Sequence, residues 1–188
     1  MPRPPRWPTN PPRLPTHGLK GRDGREYIAS SDLVVAANVA LACGMPLLIT
    51  GEPGCGKTDF AHAAAGALAA QAQVDPDQVL RDYPIRSDTR ARDLLYSYDA
   101  VRRFSDAQLR GRAGMEKIPG DHPAEYIHLE ALGRALQAKY QTVVLLDEVD
   151  KAPRDLPNDV LNEFERMEFT IDELETPRHA RRRFTVGY

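Results

Sequence analysis

Cysteine is scarce in this chain: there are two among 188 residues, Cys43 and Cys55. Two cysteines make no disulfide framework, which fits a reducing, cytoplasmic setting. No apolar run approaches the ~18 residues that a membrane-spanning helix needs, and the N-terminus has no apolar stretch of the signal-peptide kind. Neither a membrane span nor a signal peptide is therefore expected. Net charge is also small, −2, so no global field draws nucleic acid, and no helix-turn-helix or zinc motif is present. What remains is a chain with 41 % hydrophobic and 28 % charged residues. That composition suits a globular protein, and the length suits one α/β domain with a sizeable core.

Charge and proline are unevenly spread. Residues 1–16 hold seven prolines, and residues 1–25 hold six basic residues (Arg3, Arg6, Arg13, Lys20, Arg22, Arg25) against Asp23. Such a stretch resists a packed core, so residues 1–26 are expected to be a Pro-rich, basic, disordered arm, with Trp7 as a weak candidate anchor for a partner. A second basic cluster, Arg178, Arg181, Arg182 and Arg183, sits in an expected C-terminal tail, residues 176–188. Each cluster suits either phosphates or an acidic partner, or simply a solvated tail.

Residues 51–58 read Gly51-Glu52-Pro53-Gly54-Cys55-Gly56-Lys57-Thr58, which fits the phosphate-binding pattern G-x-x-x-x-G-K-[ST] at every fixed position. Each residue type answers a physical need. The glycines let consecutive backbone N–H groups turn into one anion-sized nest, and the helix that follows presents its positive end. Lys57 is placed to reach the β- and γ-phosphates of ATP, and the Thr58 hydroxyl to ligate Mg²⁺. The nucleotide-binding set is Gly51, Pro53, Gly54, Cys55, Gly56, Lys57, Thr58 and Asp59. The bland alternative is a Gly-rich turn between a strand and a helix. Cys55 suits a redox brake on binding, or simply a small residue at a variable position.

The bland alternative is weakened by a second motif, Val143-Val144-Leu145-Leu146-Asp147-Glu148. Four apolar residues make a buried strand, and ligands of open parallel sheets bind at the C-terminal ends of strands. Asp147 then belongs to the Mg²⁺ shell, and Glu148 is the base or orienter for an attacking water. Glu148 and Lys57 are the candidate catalytic residues. Taken alone, the motif also reads as a strand ending in two solvated acids.

Other elements follow from caps and periodicity. A helix is expected at 33–42, capped by Ser30, Ser31 and Asp32 and ended by Gly44, and a buried strand at 46–50 leads into the loop. The Ala-rich residues 60–70 form the next helix. A second strand covers 79–85, and helices cover 91–98, 100–110, 129–140 and 158–167. Residues 111–123 form a loop, and residues 169–171 a short strand. No internal repeat is visible.

The stretch Asp147-Glu148-Val149-Asp150-Lys151-Ala152-Pro153 followed by Pro157-Asn158-Asp159-Val160-Leu161-Asn162-Glu163 resembles the AAA+ superfamily, and its MoxR-like branch in particular. Residues 87–96 are similar to the segment after the second strand in that branch. The resemblance covers residues 27–175 and implies an α/β P-loop NTPase core, a parallel sheet with flanking helices. It further implies a ring-forming, Mg-ATP-driven remodelling ATPase, often acting beside a protein with a von Willebrand A domain. A polar sensor strand, an arginine finger and a helical lid find no counterpart in these residues, so the resemblance implies a C-terminally incomplete core, weak in hydrolysis by itself. Two further readings of the P-loop are a small-molecule kinase and a nucleotide-binding module without hydrolysis; a nucleic-acid motor is disfavoured by the charge.

Overall fold

The computed structural model describes residues 12–113, 122–166 and 169–174, which fall into two units. One holds the described residues up to Ile85 together with Ala138–Asp150. The other holds Arg86–Gln137 and the described residues from Lys151 onward.

The first unit is built on a long alanine-rich helix. Helix α1 spans Ser31–Cys43. It starts where the Ser30 side chain accepts the Leu33 N–H and ends at Gly44, whose left-handed conformation (φ 61°) closes the last turn. Helix α2, Lys57–Ala72, buries Phe60, Ala61, Ala63, Ala64, Ala65, Leu68 and Ala69. Alanine favours the helix and its small side chain permits close approach. A short helix α3 (Pro76–Val79) leads into strand β1 (Leu80–Pro84), which pairs in parallel with β4 (Val143–Asp147), Leu80 opposite Val143 and Pro84 opposite Asp147. Helix α2 lies against both strands. The expected second strand and the carboxylate strand are thus present and adjacent.

Two expectations for this unit are corrected. Residues 46–50 form no strand, and among the described residues no strand pairs with them. Leu48 is 76 % exposed. The run has the composition of a strand, but backbone hydrogen bonding needs a neighbour as well as a propensity. The disordered arm expected over residues 1–26 also does not hold for its described part, residues 12–26. Leu14 and Leu19 are only 4 % and 2 % exposed and belong to the core with Val34, Phe60 and Leu68. The Asn38 side chain accepts the Leu14 N–H at 2.7 Å and donates to the Leu14 carbonyl at 3.1 Å, while Gln71 Nε2 donates to the Arg13 carbonyl at 2.8 Å. Pro12 and Pro15 do not prevent packing, because Leu14 between them reaches the core while the Arg13 and Leu14 carbonyls accept hydrogen bonds from helix side chains. Residues 1–11, with Trp7, lie outside the described residues.

The second unit mixes short helices with a two-stranded antiparallel ribbon. Helix α4 (Ala91–Leu95) is followed by β2 (Tyr96–Tyr98), helix α5 (Ala100–Ala113), β3 (Ile127–Leu129), helix α6 (Ala131–Gln137) and helix α7 (Leu156–Arg166). Strands β2 and β3 pair with Tyr96 opposite Leu129. The helices expected at 91–98 and 129–140 therefore give up residues to this ribbon: aromatic and branched side chains at 96–98 and 127–129 take the pleated conformation once each supplies the other's partner. Residues 169–171 form no strand. Phe169 and Ile171 are instead buried side chains, and the Phe169 ring stacks on Tyr96 with centroids 6.4 Å apart. The start of α6 sits on the end of α4. The Glu130 N–H donates to the Leu95 carbonyl at 3.0 Å, and a Cβ at Gly133 would lie 1.9 Å from that same oxygen. Residues 114–121 and the expected tail, with its arginines 178–183, lie outside the described residues.

Candidate functional site

Helix α2 begins abruptly, and its start defines the site. Its N-cap is Gly56 at φ 86°, with no side chain capping the first turn. Gly54 is left-handed too, at φ 80°. Only glycine adopts two such conformations within three residues without strain, so the pattern's glycines are needed by the backbone itself. The first N–H groups of a helix have no partner within it and are donors of the kind that bind anions.

Lys57 is the first residue of that helix, and its ammonium folds back over the loop. Nζ donates to the carbonyls of Gly51 and Glu52, both at 2.8 Å, and Cys55 Sγ lies 3.7 Å away. The cation is thus held over the loop by weak neutral acceptors, which a phosphate oxygen would outcompete as a charged one. Gly51, Glu52, Pro53, Gly54 and Cys55 are exposed; Gly56, Lys57 and Thr58 are half-buried. Asp59 is exposed on the first turn.

The two motifs meet. Thr58 Oγ1 donates to Asp147 Oδ2 at 3.2 Å, although 89 positions separate the two residues. The other carboxylate oxygen, Oδ1, accepts the Glu148 N–H at 2.9 Å. Behind it, the Ile85 N–H donates to the Asp147 carbonyl at 3.0 Å, so the β1–β4 ladder continues through the residue that carries the carboxylate. Asp147 is therefore fixed at its backbone and at both oxygens. A hydroxyl and a carboxylate in contact are the oxygen donors that Mg²⁺ takes from a protein, the rest of its shell being water and phosphate oxygen. Thr58 and Asp147 fit that ion.

Glu148 follows differently from what alternation along a strand suggests. It sits at φ 59°, left-handed and not glycine, and is exposed. Such a conformation costs on the order of 1–3 kcal/mol and gathers at functional sites. The strand ends at Asp147, and the chain turns sharply at the acid proposed to handle water.

One residue at this site escapes sequence reasoning. Tyr27 donates through its hydroxyl to the Gly56 carbonyl at 3.2 Å and sets its ring beside Phe60, centroids 5.9 Å apart. Burial first, then the nearby Cys55 and Asp59, push its pKa up, so the hydroxyl keeps its proton at neutral pH. Nothing in the sequence around Tyr27 marks it.

A family model for the AAA domain, dynein-related subfamily, matches residues 46–186. The chain belongs to the AAA domain family. The match opens with the apolar run before the loop, takes in the P-loop and the carboxylate strand, and runs beyond residue 175, the expected end of the core. The chain matches no curated protein and no solved structure. AAA domains are P-loop ATPases that bind ATP with Mg²⁺ and assemble as oligomers, and the α/β core with its parallel strands agrees. Among the described residues, no helix of this AAA domain is long and apolar enough to cross a membrane.

Proposed function

We propose that this AAA domain is a Mg-dependent, ATP-hydrolysing remodelling ATPase of MoxR-like type. The observation that carries the reading is the 3.2 Å contact between Thr58 and Asp147, which brings a P-loop hydroxyl and a strand-end carboxylate to one point. When bound, Mg²⁺ would neutralise developing charge on the phosphates. Gly54, Cys55, Gly56 and Lys57 bind the triphosphate through backbone N–H groups and one ammonium. Thr58 and Asp147 hold the ion. Glu148, exposed and next to Asp147, takes a proton from the attacking water. The Asp-Lys-Ala-Pro turn at 150–153 and the helix after it support the MoxR-like branch, and that branch supports a partner with a von Willebrand A domain.

AAA domains work as assemblies, and a charge supplied by a neighbouring subunit is worth roughly 10³–10⁵ in rate. Turnover by the dispersed chain is accordingly expected to fall below ~1 s⁻¹. Calorimetry and a steady-state ATPase assay test the reading together. The parent should bind MgATP, and Glu148→Gln should bind it equally well while losing turnover. Parental turnover in Glu148→Gln would remove Glu148 from the chemistry. Transfer of phosphate to an organic acceptor instead of water would make the protein a kinase.

A further inference from the structure

We propose that Tyr27 is a positioning residue of the phosphate loop, clamping Gly56 in the left-handed conformation from which α2 and Lys57 start. The proposal rests on the ATP-binding reading above and names the support that reading leaves out.

The carbonyl of Gly56 receives two hydrogen bonds. The Phe60 N–H donates at 3.0 Å, the first bond of α2, and the Tyr27 hydroxyl donates at 3.2 Å. A carbonyl has two lone pairs, so both are used. The ring completes the clamp. Its Cε2 lies 3.3 Å from where a Cβ on Gly56 would stand, tight contact against a residue that has none. The ring also rests against Phe60, which is 3 % exposed. Tyr27 therefore holds the glycine from the side and the first helical turn from behind.

Tyr27 is itself held by a local device. Its N–H donates to the Leu19 carbonyl at 2.7 Å, and Lys20 and Glu26 form an antiparallel bridge. The turn between them is closed by Gly21 N–H to the Arg25 carbonyl at 2.8 Å. Leu19 plugs this ribbon into the core at 2 % exposure. A hydrogen-bonded turn, anchored in the core by Leu19, thus delivers one hydroxyl to the residue before the phosphate-binding lysine. Glycine is the most permissive residue, so a loop that depends on two left-handed glycines gains most from a group that fixes one of them. A preorganised nest loses less freedom when the anion arrives.

The test compares Tyr27→Phe, which keeps the ring, with Tyr27→Ala in the full chain. The first readout needs no ligand: amide hydrogen exchange along α2 by NMR. Exchange at the Phe60 amide should quicken about threefold to tenfold in Tyr27→Phe, the effect of one hydrogen bond, while Ala65 and Leu68 exchange as in the parent. The second readout is calorimetry with MgATP and with inorganic tripolyphosphate. Affinity should fall by the same factor for both, more in Tyr27→Ala than in Tyr27→Phe. Unchanged exchange at Phe60, or uniform quickening along all of α2, overturns the proposal. So does a loss for ATP with none for tripolyphosphate, which would put Tyr27 on the nucleoside. Should the parent bind neither ligand, the ATP-binding reading fails, and exchange at Phe60 alone decides the role of Tyr27.

Discussion

Two apolar segments of the first unit each end at a chemical group, and they are held in opposite ways. Residues 143–147 end at Asp147 and are paired along their length with β1, down to the bond from Ile85 to the Asp147 carbonyl. Residues 46–50 end at the phosphate loop and pair with no strand among the described residues, with Leu48 76 % exposed. The carboxylate is supported from in front, by the strand that delivers it. The loop runs on into α2, whose Phe60 is buried in the core, and so is supported from behind. A functional residue can inherit its position from either side of its own sequence, and the strand pairing of the flanking segment shows which side carries the constraint.

The largest break in that contrast comes from behind the loop. Phe60→Ala should cost about 3–5 kcal/mol, the usual range for emptying a buried aromatic site, read by chemical denaturation. A loss below 1 kcal/mol would show that α2 is not what the loop leans on. Next comes Lys57→Ala, which should weaken MgATP binding by about tenfold or more in calorimetry, the scale of one charge-assisted contact. Unchanged affinity would break the assignment of the loop itself. Asp147→Asn keeps oxygen and shape but removes the charge. It should leave the fold intact and reduce the gain in ATP affinity that Mg²⁺ gives. An undiminished Mg²⁺ effect would mean that the front-supported carboxylate does not hold the ion. The smallest effect is expected at Leu48→Ser, within about 0.5 kcal/mol, as for exposed sites away from special features. A loss of 2 kcal/mol or more would show that residues 46–50 are buried in solution, and the contrast would vanish.

The sequence was most readable where chemistry constrains backbone and side chain together. Gly54, Gly56, Lys57 and Thr58 follow from a fixed spacing, and the structure gives the two glycines the left-handed angles the spacing demands. Asp147 was legible because four apolar residues before an acid mark a strand end, and the structure places its carboxylate 3.2 Å from the Thr58 hydroxyl. Non-local partnership was not legible. Tyr-Ser-Tyr at 96–98 continues a helical pattern until Ile-His-Leu at 127–129 offers it a ladder. The run at 46–50 has strand composition without a strand neighbour among the described residues. Leu14 and Leu19 lie in or beside the proline-rich stretch, and only the faces of α1 and α2 reveal that they are core. Tyr27 reaches Gly56 across 29 positions, and no local pattern encodes such a contact. The left-handed Glu148 was also hidden, since strand alternation predicts a direction and says nothing about a chain that turns.

The clearance at Gly133 fixes how this chain can vary. A side chain there would have to displace the Leu95 carbonyl, which already accepts the Glu130 N–H. Backbone cannot yield as the end of a long side chain can. In a saturation library scored for folded protein, position 133 should therefore accept glycine alone, and even alanine should be purged. Gly66, in the middle of α2, is its opposite: an added methyl would meet nothing within 4 Å, and alanine there should be enriched, since it favours a helix by about 0.5–1 kcal/mol over glycine. One glycine is an obligation of packing and the other is open to drift.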